Sequence, residues 1–167
     1  MLKGIDNLVL VSLVVWAKRI GTQSALAEDL RVSPAGLTRS LGRLDCARLV
    51  QRRDLSVVRA SAKEYLVHGL RYVFPARVGT LVRGVPTAHS APPLSEEIRA
   101  SQEYVWPADF GNMSGLEIAP LHENVPALCL AHPELHPFFA VLDALRVGRT
   151  RDRELARRHL EAWLDER

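Results

Sequence analysis

The sequence predicts a mainly α-helical protein with a helix-turn-helix near its N-terminus and a mixed, mostly helical C-terminal extension. Three observations support this prediction: apolar residues recur at helical spacing over 22–49, a serine–proline pair marks a helix start within that stretch, and later segments repeat the helical spacing. The chain has 167 residues, of which 47% are hydrophobic and 25% are charged, as in ordinary globular proteins. It is therefore long enough to bury a core without disulfides or metals.

The first notable stretch is a strongly apolar run from Leu8 to Ala17. A helix that crosses a bilayer needs about 20 apolar residues, so this run is too short. A secretory signal would need a basic start and a small-residue cleavage site, whereas Lys3 is offset here by Asp6. We therefore expect a buried first helix from about Ile5 to Ile20, no membrane partner and a cytoplasmic location.

Two short helices joined by a tight turn are predicted next. Thr22 can cap the first of them, because its hydroxyl can accept a backbone N–H that lacks an intrahelical partner. Ser33 is a suitable N-cap for the second, and Pro34 suits the first helical position because it has no N–H to leave unpaired. Apolar residues then follow at helical spacing, namely Ala25, Leu26 and Leu30 in the first helix and Leu37, Leu41 and Leu44 in the second.

The face of the second helix opposite its leucines predicts contact with DNA. Residues 34–44 contain no acid, and two arginines lie one turn apart among small residues. A helix in the major groove needs small residues for close approach and long forked donors for base edges or phosphates. A solvated amphipathic helix, the alternative, more often alternates Glu and Lys. The face comprises Ala35, Gly36, Arg39, Arg43 and Cys46, flanked by Thr38, Ser40 and Gly42.

The pattern LAEDL-RVS-PAGLTRSLGRL over residues 26–44 resembles the helix-turn-helix core of MarR-like winged-helix transcription regulators. The resemblance covers about the first 60 residues and depends on Ala27, on Ser33 followed by Pro34, and on the spaced leucines. It implies a winged-helix-like domain whose second helix lies in the DNA groove. The wing of this family usually has ten or more residues. Only Leu49 to Val58 is available here, without an Asn-Gly or Asp-Gly turn, so we expect a short or reduced wing.

These observations predict a sequence-specific DNA-binding transcriptional regulator, a repressor that binds double-stranded DNA as a homodimer. Side chains on the second helix are expected to face the bases. Basic residues of the wing, together with the helix cap, are expected to hold phosphates and so fix position without reading sequence. The base-facing set is Gly36, Thr38, Arg39, Ser40 and Arg43, and the phosphate-facing set is Ser33, Arg52 and Arg53.

Charge is unevenly distributed along the chain. Residues 1–60 carry a net charge of +5, residues 61–94 of +3, residues 95–145 of −7 and residues 146–167 of +2. Positive charge thus gathers around the helix-turn-helix, where a phosphate backbone would lie. The acidic block is expected to face away from DNA or to face another protein.

The sequence suggests three parts: residues 1–73 as the DNA-binding domain, 74–94 as an extended arm and 95–167 as a dimerisation or partner-binding region. The arm has six prolines and glycines in 21 residues, which predicts an ordered, non-helical segment packed over the domain. Beyond it, helices are predicted over about 60–73, 95–104, 125–129, 134–145 and 150–164, with a short strand over 116–121.

Two other functions remain open. One is a protein-interaction module, antitoxin-like or an adaptor, in which the same fold binds a protein through the C-terminal region. The other is a small-molecule-sensing regulator with a pocket between the arm and the C-terminal helices, for which the sequence has no ligand signature.

Enzymatic and metal chemistry are not predicted. Cys129, His132 and His136 have a spacing that could ligate zinc, with His122 or Glu123 as a fourth ligand. However, His132 precedes a proline and is expected to lie apart from His136, and a second cysteine pair is missing. The chain has no phosphate loop, nucleophile elbow or HExxH pattern. We therefore expect no enzyme activity and no cofactor, and two reduced cysteines, Cys46 and Cys129.

Overall fold

The structure, a computed structural model, describes residues 1–19 and 21–166. Helices dominate the described chain, so the prediction of a mainly α-helical protein is confirmed. They surround a two-stranded hairpin and a small three-stranded sheet. In chain order the elements are α1 Gly4–Val15, α2 Gln23–Asp29, α3 Pro34–Cys46, β1 Val50–Gln51, β2 Ser56–Val57, α4 Arg59–Glu64, a π-helical turn Tyr65–Gly69, α5 Leu70–Val73, β3 Val78–Pro86, α6 Leu94–Glu97, β4 Tyr104–Pro107, β5 Met113–Ile118, α7 Val125–Ala131, α8 His136–Val147 and α9 Thr150–Glu166.

Helix α1 lies at the centre of the fold. Its residues from Asp6 to Val14 are all buried, which a helix that is apolar on every side requires. It packs against α3 on one side, against β2 on another, and near the turn before α8. The helix ends at Val15 and not near Ile20, which lies outside the described residues. The indole of Trp16 then donates to Glu134 Oε1 at 2.9 Å, which ties the chain to the turn between α7 and α8.

Helices α2 and α3 form where the sequence places them. Thr22 Oγ1 accepts the N–H of Ala25 at 3.1 Å, and Ser33 Oγ accepts the N–H of Gly36 at 3.0 Å. Both predicted caps are therefore confirmed. Arg31, with φ of 54°, makes the left-handed turn between the two helices. The apolar faces of α2 and α3 pack on each other, and α3 also packs on α1.

A minimal hairpin follows α3. Its two strands pair in antiparallel register, Val50 with Val57 and Gln51 with Ser56. Asp54 organises the loop, because its Oδ1 accepts both the N–H of Ser56 at 3.0 Å and the hydroxyl of Ser56 at 2.6 Å. Each strand has only two residues, so the hairpin is short.

The segment 74–94 is mostly extended, and β3 is its main element. β3 pairs antiparallel with both β4 and β5, and β4 pairs in parallel with β5, so each of the three strands contacts the other two. The segment is thus part of a sheet and is not a separate arm. The predicted non-helical backbone is present over β3, whereas Ala88–Ser90 forms a 3-10 helical turn and α6 begins at Leu94.

The predicted helix over 95–104 was wrong. Only α6, at Leu94–Glu97, is helical there, and the chain then becomes strand β4. Val105 and Trp106 are completely buried in the core, and they pair with residues of β3. Pairing with a strand 20 residues earlier in the chain therefore outweighed the local helical pattern. The other expected C-terminal elements are present with shifted ends, as β5, α7, α8 and α9.

A buried ion pair within α8 is hydrogen-bonded to the sheet and to the residue that follows β3. Asp143 lies in the core, where its Oδ2 accepts the indole N–H of Trp106 at 2.6 Å and the hydroxyl of Thr87 at 2.8 Å. Its Oδ1 accepts Arg146 Nη1 at 2.6 Å, and Arg146 Nε also donates to the carbonyl of Phe74. Burial raises the pKa of Asp143, while the arginine and the two hydrogen bonds oppose that rise.

One continuous apolar core connects all of these parts. The cluster of buried side chains includes members from α1, α3, the sheet and α8. The predicted boundaries at 73/74 and 94/95 therefore separate segments that share this core.

Candidate nucleic-acid interface

Helix α3 divides its residues between the core and solvent. Its buried side is made by Leu37, Ser40, Leu41 and Leu44. Its solvent side begins at the N-terminus of the helix and presents small or polar residues. The exposed residues of α3 are Pro34, Ala35, Thr38, Arg39, Asp45 and Cys46.

Arg39 lies in the middle of this exposed face. Among the described residues, its guanidinium has no ion-pair or hydrogen-bond partner. Thr38 lies beside it, and Ala35 lies one turn earlier on the same face. This part of the predicted base-facing set is therefore accessible, with small neighbours that leave the backbone open to approach.

Ser40 and Arg43 do not lie on that face, which corrects their predicted role as base contacts. Ser40 is completely buried, and its hydroxyl donates to Asp6 Oδ1 at 2.7 Å. Arg43 donates to both carboxylate oxygens of Asp6, from Nε at 2.8 Å and from Nη2 at 2.7 Å. This contact raises the pKa of Arg43, which remains charged. Both side chains therefore fix α3 to α1.

The helical spacing contains the signal for this arrangement. Ser40 lies three residues after Leu37 and four before Leu44, so it belongs to the leucine stripe. Asp6 is the second part of the signal, because a carboxylate in an otherwise apolar helix needs a buried partner. A search for that partner would have led to Arg43.

Ser33 and Gly36 serve the helix start. The Ser33 hydroxyl is engaged as the N-cap of α3, although the residue is exposed. A Cβ added at Gly36 would lie 2.9 Å from that hydroxyl oxygen. A larger residue at this position would therefore crowd the cap, and glycine leaves room for it.

The hairpin carries the two remaining predicted residues. Arg52 and Arg53 are both exposed, and 82% of the Arg53 side chain is accessible. Arg53 Nε lies 3.7 Å from Asp54 Oδ2, a weak exposed pair, while the backbone N–H of Arg52 donates to Asp45 Oδ1 at 3.2 Å. The contact to Asp45 ties the hairpin to the end of α3.

Two further exposed arginines adjoin α3, and the sequence analysis did not select them. Arg31 precedes the helix and Arg48 follows it, with φ of 54° and 56° respectively. Left-handed backbone is uncommon for residues other than glycine and directs each chain segment sharply around the end of the helix. Both arginines lie close to the ends of the predicted second helix in the sequence, and this proximity could have identified them as neighbours of its exposed face. The exposed cations of the surface are therefore Arg31, Arg39, Arg48, Arg52 and Arg53, which we call the basic surface.

A cavity of about 240 Å³ lies behind the hairpin. Its walls come from α1, the hairpin loop, the first residue of α4 and the end of α9. Arg59 closes one side, with Nη1 donating to the carbonyl of Leu164 at 3.1 Å. This is a different place from the predicted pocket between the arm and the C-terminal helices.

The residues considered for zinc are engaged in three separate contacts. Cys129 is buried in the apolar core, and burial raises the pKa of its thiol. His132 packs edge-on against Trp16 with ring centroids 5.0 Å apart. His136 Nε2 lies 2.7 Å from the carbonyl oxygen of Pro86, and burial lowers the pKa of that imidazole. In residues 1–19 and 21–166, no three His, Cys, Asp or Glu side chains are grouped as metal ligands would be.

Comparison with known proteins returned no match to any family, to any curated protein or to any solved structure. In the described part of the chain, every helix is too short or too polar to cross a membrane.

Proposed function

We propose that this protein is a sequence-specific DNA-binding transcriptional regulator of the winged-helix class. The observation that carries the proposal is the exposed face of α3, where Arg39 has no partner among the described residues and lies beside Thr38 and one turn after Ala35. A helix with this face meets two requirements for binding in the major groove. Its small residues let the helix backbone approach the bases, and its arginine is a forked donor for guanine.

The rest of the basic surface would supply phosphate contacts. Arg52 and Arg53 project from the hairpin loop, and Arg31 and Arg48 flank the two ends of α3. Arginine binds phosphate through charge-assisted, often bidentate hydrogen bonds. Contacts of this kind fix the register of the protein on a duplex, while Arg39 and Thr38 would read bases.

Asp6 contributes by positioning α3. Its carboxylate binds Ser40 and Arg43 on the inner side of α3, while Arg39 is on the outer side. The angle of α3 to the core is therefore held by a buried polar contact as well as by its leucines. A rigidly held recognition helix loses little freedom on binding, which favours specific recognition.

The proposal includes a homodimer that acts as a repressor on paired half-sites, as the class usually does. Helix α9 is the candidate for self-association. Its inner side, with Ala156, Leu160 and Leu164, is buried within the chain, and Trp163 stacks on Phe138 with centroids 4.6 Å apart. The outer, charged side of α9 is therefore the part left for a second copy.

The test is selection of bound sites from random double-stranded DNA with the full chain. We expect one enriched motif, and a palindrome with half-sites about one helical turn apart would establish the dimer. Recovery of unenriched DNA, or of none, would contradict the proposal. The Arg39→Ala variant serves as the control, because it should enrich a broader set of sequences.

A second function, a module that binds a partner protein, is favoured by a different observation. Tyr72 and Leu81 each have 71% of their surface exposed, and Val73 and Val78 are 49% and 41% exposed. Apolar side chains exposed to this extent on neighbouring segments can form a protein contact. An antitoxin-like or adaptor role would be supported if no DNA is selected, and if Leu81→Asp abolishes binding to a partner encoded beside this gene.

A further inference from the structure

A groove lies between the loop that follows α6 and the turn that joins α8 to α9. It consists of two adjoining cavities of about 270 and 570 Å³. The two cavities share Ile98, Arg99, Arg149 and Asp152 in their walls, so they form one continuous depression. Cavities of this size are in the range that holds small molecules.

Three arginines from different segments line the larger cavity. They are Arg99 in the loop after α6, Arg149 in the α8–α9 turn and Arg151 in the first turn of α9. Among the described residues, none of the three guanidiniums has a hydrogen-bond or ion-pair partner. Three like charges at one cavity repel one another unless an anion lies between them.

The other arginines of this region are all paired, which makes the three exceptions informative. Arg146 binds Asp143, Arg153 Nη1 donates to the carbonyl of Gly148, and Arg157 and Arg158 bind Glu154. Each of these four arginines therefore binds a partner within α8, within α9 or in the turn between them. Arg99 is moreover the only Lys or Arg within residues 95–145, where eight acids are present.

The acidic residues of the groove are already engaged. Glu97 accepts a hydrogen bond from His159 Nε2, and Asp152 Oδ2 accepts the backbone N–H of Arg149 at 3.3 Å. These two carboxylates balance the charge of the groove only in part, against three arginines. The site therefore retains a net positive charge that favours a polyvalent anion.

The smaller cavity adds an aromatic and apolar wall. His89 and Tyr104 pack with ring centroids 4.4 Å apart, and His89 Nε2 is fixed 2.7 Å from the carbonyl oxygen of Gln102. Ile98 and Val147 supply apolar surface beside them. A ligand that fits has a charged end for the arginines and a flatter, less polar body for this wall.

We infer that the groove binds an organic di- or triphosphate. Guanidinium groups pair bidentately with phosphate oxygens, and three of them match the several oxygens of a polyphosphate better than a single carboxylate. The site is separate from the basic surface around α3, because the two share no residue. Phosphate binding in the groove therefore does not depend on the proposed DNA binding by α3.

The experiment is calorimetric titration of the full chain with inorganic pyrophosphate, with ATP and with adenosine. We expect pyrophosphate and ATP to bind, with affinity that falls as salt concentration rises, and adenosine to bind at least tenfold more weakly than ATP. The Arg99→Gln/Arg149→Gln double variant should lose tenfold or more in affinity for both phosphates. Arg158→Gln, which alters a paired arginine of α9, should bind as the unchanged protein does.

Thermal unfolding of each variant shows whether the fold is retained, which is expected because the substituted side chains are exposed. Absence of pyrophosphate and ATP binding at millimolar concentration would overturn the inference. Equal affinity in the double variant would do the same. If the double variant instead weakens only DNA binding, the groove holds a nucleic-acid backbone and the small-phosphate site is rejected.

Discussion

Asp6 in α1 and Arg43 in α3 form a bidentate ion pair whose carboxylate is completely buried. The same carboxylate also accepts the Ser40 hydroxyl and the backbone N–H of Lys3. Four donors thus satisfy one buried charge, as a low-dielectric interior requires. Through this pair, Arg43 holds α3, the helix that we propose contacts DNA, to the core.

Removal of this carboxylate should destabilise the protein strongly. We expect Asp6→Ala to lower the free energy of unfolding by about 3–5 kcal/mol, because Arg43 and Ser40 would lose their buried partner. Denaturant unfolding of the full chain measures the change. Asp29→Ala, at an exposed position of α2, should change stability by less than about 0.5 kcal/mol.

A loss under about 1 kcal/mol for Asp6→Ala would mean that the pair does not hold α3. If Asp6→Ala does not fold, Asp6→Asn gives the same information. Asparagine can still accept from Ser40 and one Arg43 nitrogen, so its loss of stability should be smaller but clear.

Arg39 and Arg43 should behave in opposite ways. We expect Arg39→Ala to cost about 1–3 kcal/mol of binding to the selected DNA site, with unfolding unchanged, because the side chain is exposed and unpaired. Arg43→Ala should lower stability, because it leaves Asp6 buried without its ion-pair partner. Gel-shift titration and denaturant unfolding measure the two effects. Equal loss on specific and random DNA for Arg39→Ala would reject base reading by that residue.

The hairpin arginines should affect all DNA sequences alike. Arg52→Ala is expected to weaken binding to specific and random duplexes by the same factor, because a phosphate contact carries no sequence information. The dependence of affinity on salt should become shallower by about one released counterion. Arg158→Ala, far along the chain on α9, is the matched control. Loss confined to the specific site would contradict a phosphate role for Arg52.

Stability should fall as pH decreases from about 7.5 to 5.5, partly through His136. Burial lowers the pKa of this imidazole below its ordinary value of 6.5, so the unfolded chain binds the proton more readily than the folded one. The stability that neutral His136 contributes is therefore fully present above pH 6.5. It is lost as the pH falls through the lower pKa of the folded state. His122, whose pKa is also lowered by burial, acts in the same direction.

Denaturant unfolding at several pH values tests this prediction. The His136→Gln variant should show a smaller decrease in stability between pH 7.5 and 5.5 than the unchanged protein. His68→Gln, at an exposed position, should leave the decrease as it was. An unchanged slope in His136→Gln would show that this histidine does not titrate with folding.

Elements that depend on neighbours in the chain were predictable. The caps by Thr22 and Ser33 each involve a hydrogen bond to a residue three positions ahead, so sequence spacing is sufficient to find them. The leucine stripe of α3 has the same local origin. The burial of α1 also followed from the apolar run that begins at Leu8.

Features that depend on distant partners were missed. The loss of helix after Glu97 reflects pairing of β4 with β3, and the engagement of Arg43 reflects Asp6, more than 30 residues earlier. A helical projection gives the angle of each side chain around its own axis. It does not reveal whether a residue at the edge of the buried stripe finds a charge to bind.

The sequence by itself determined that the protein is mainly helical, that two short helices joined by a tight turn, α2 and α3, follow α1, and where those two helices begin. Only the tertiary structure decided which arginine of α3 faces solvent and how residues 78–118 pair into a sheet. The physical reason is the range of the interactions. Caps and helical periodicity act within one or two turns, whereas a buried charge and a strand edge are satisfied by whatever partner the folded chain brings to them.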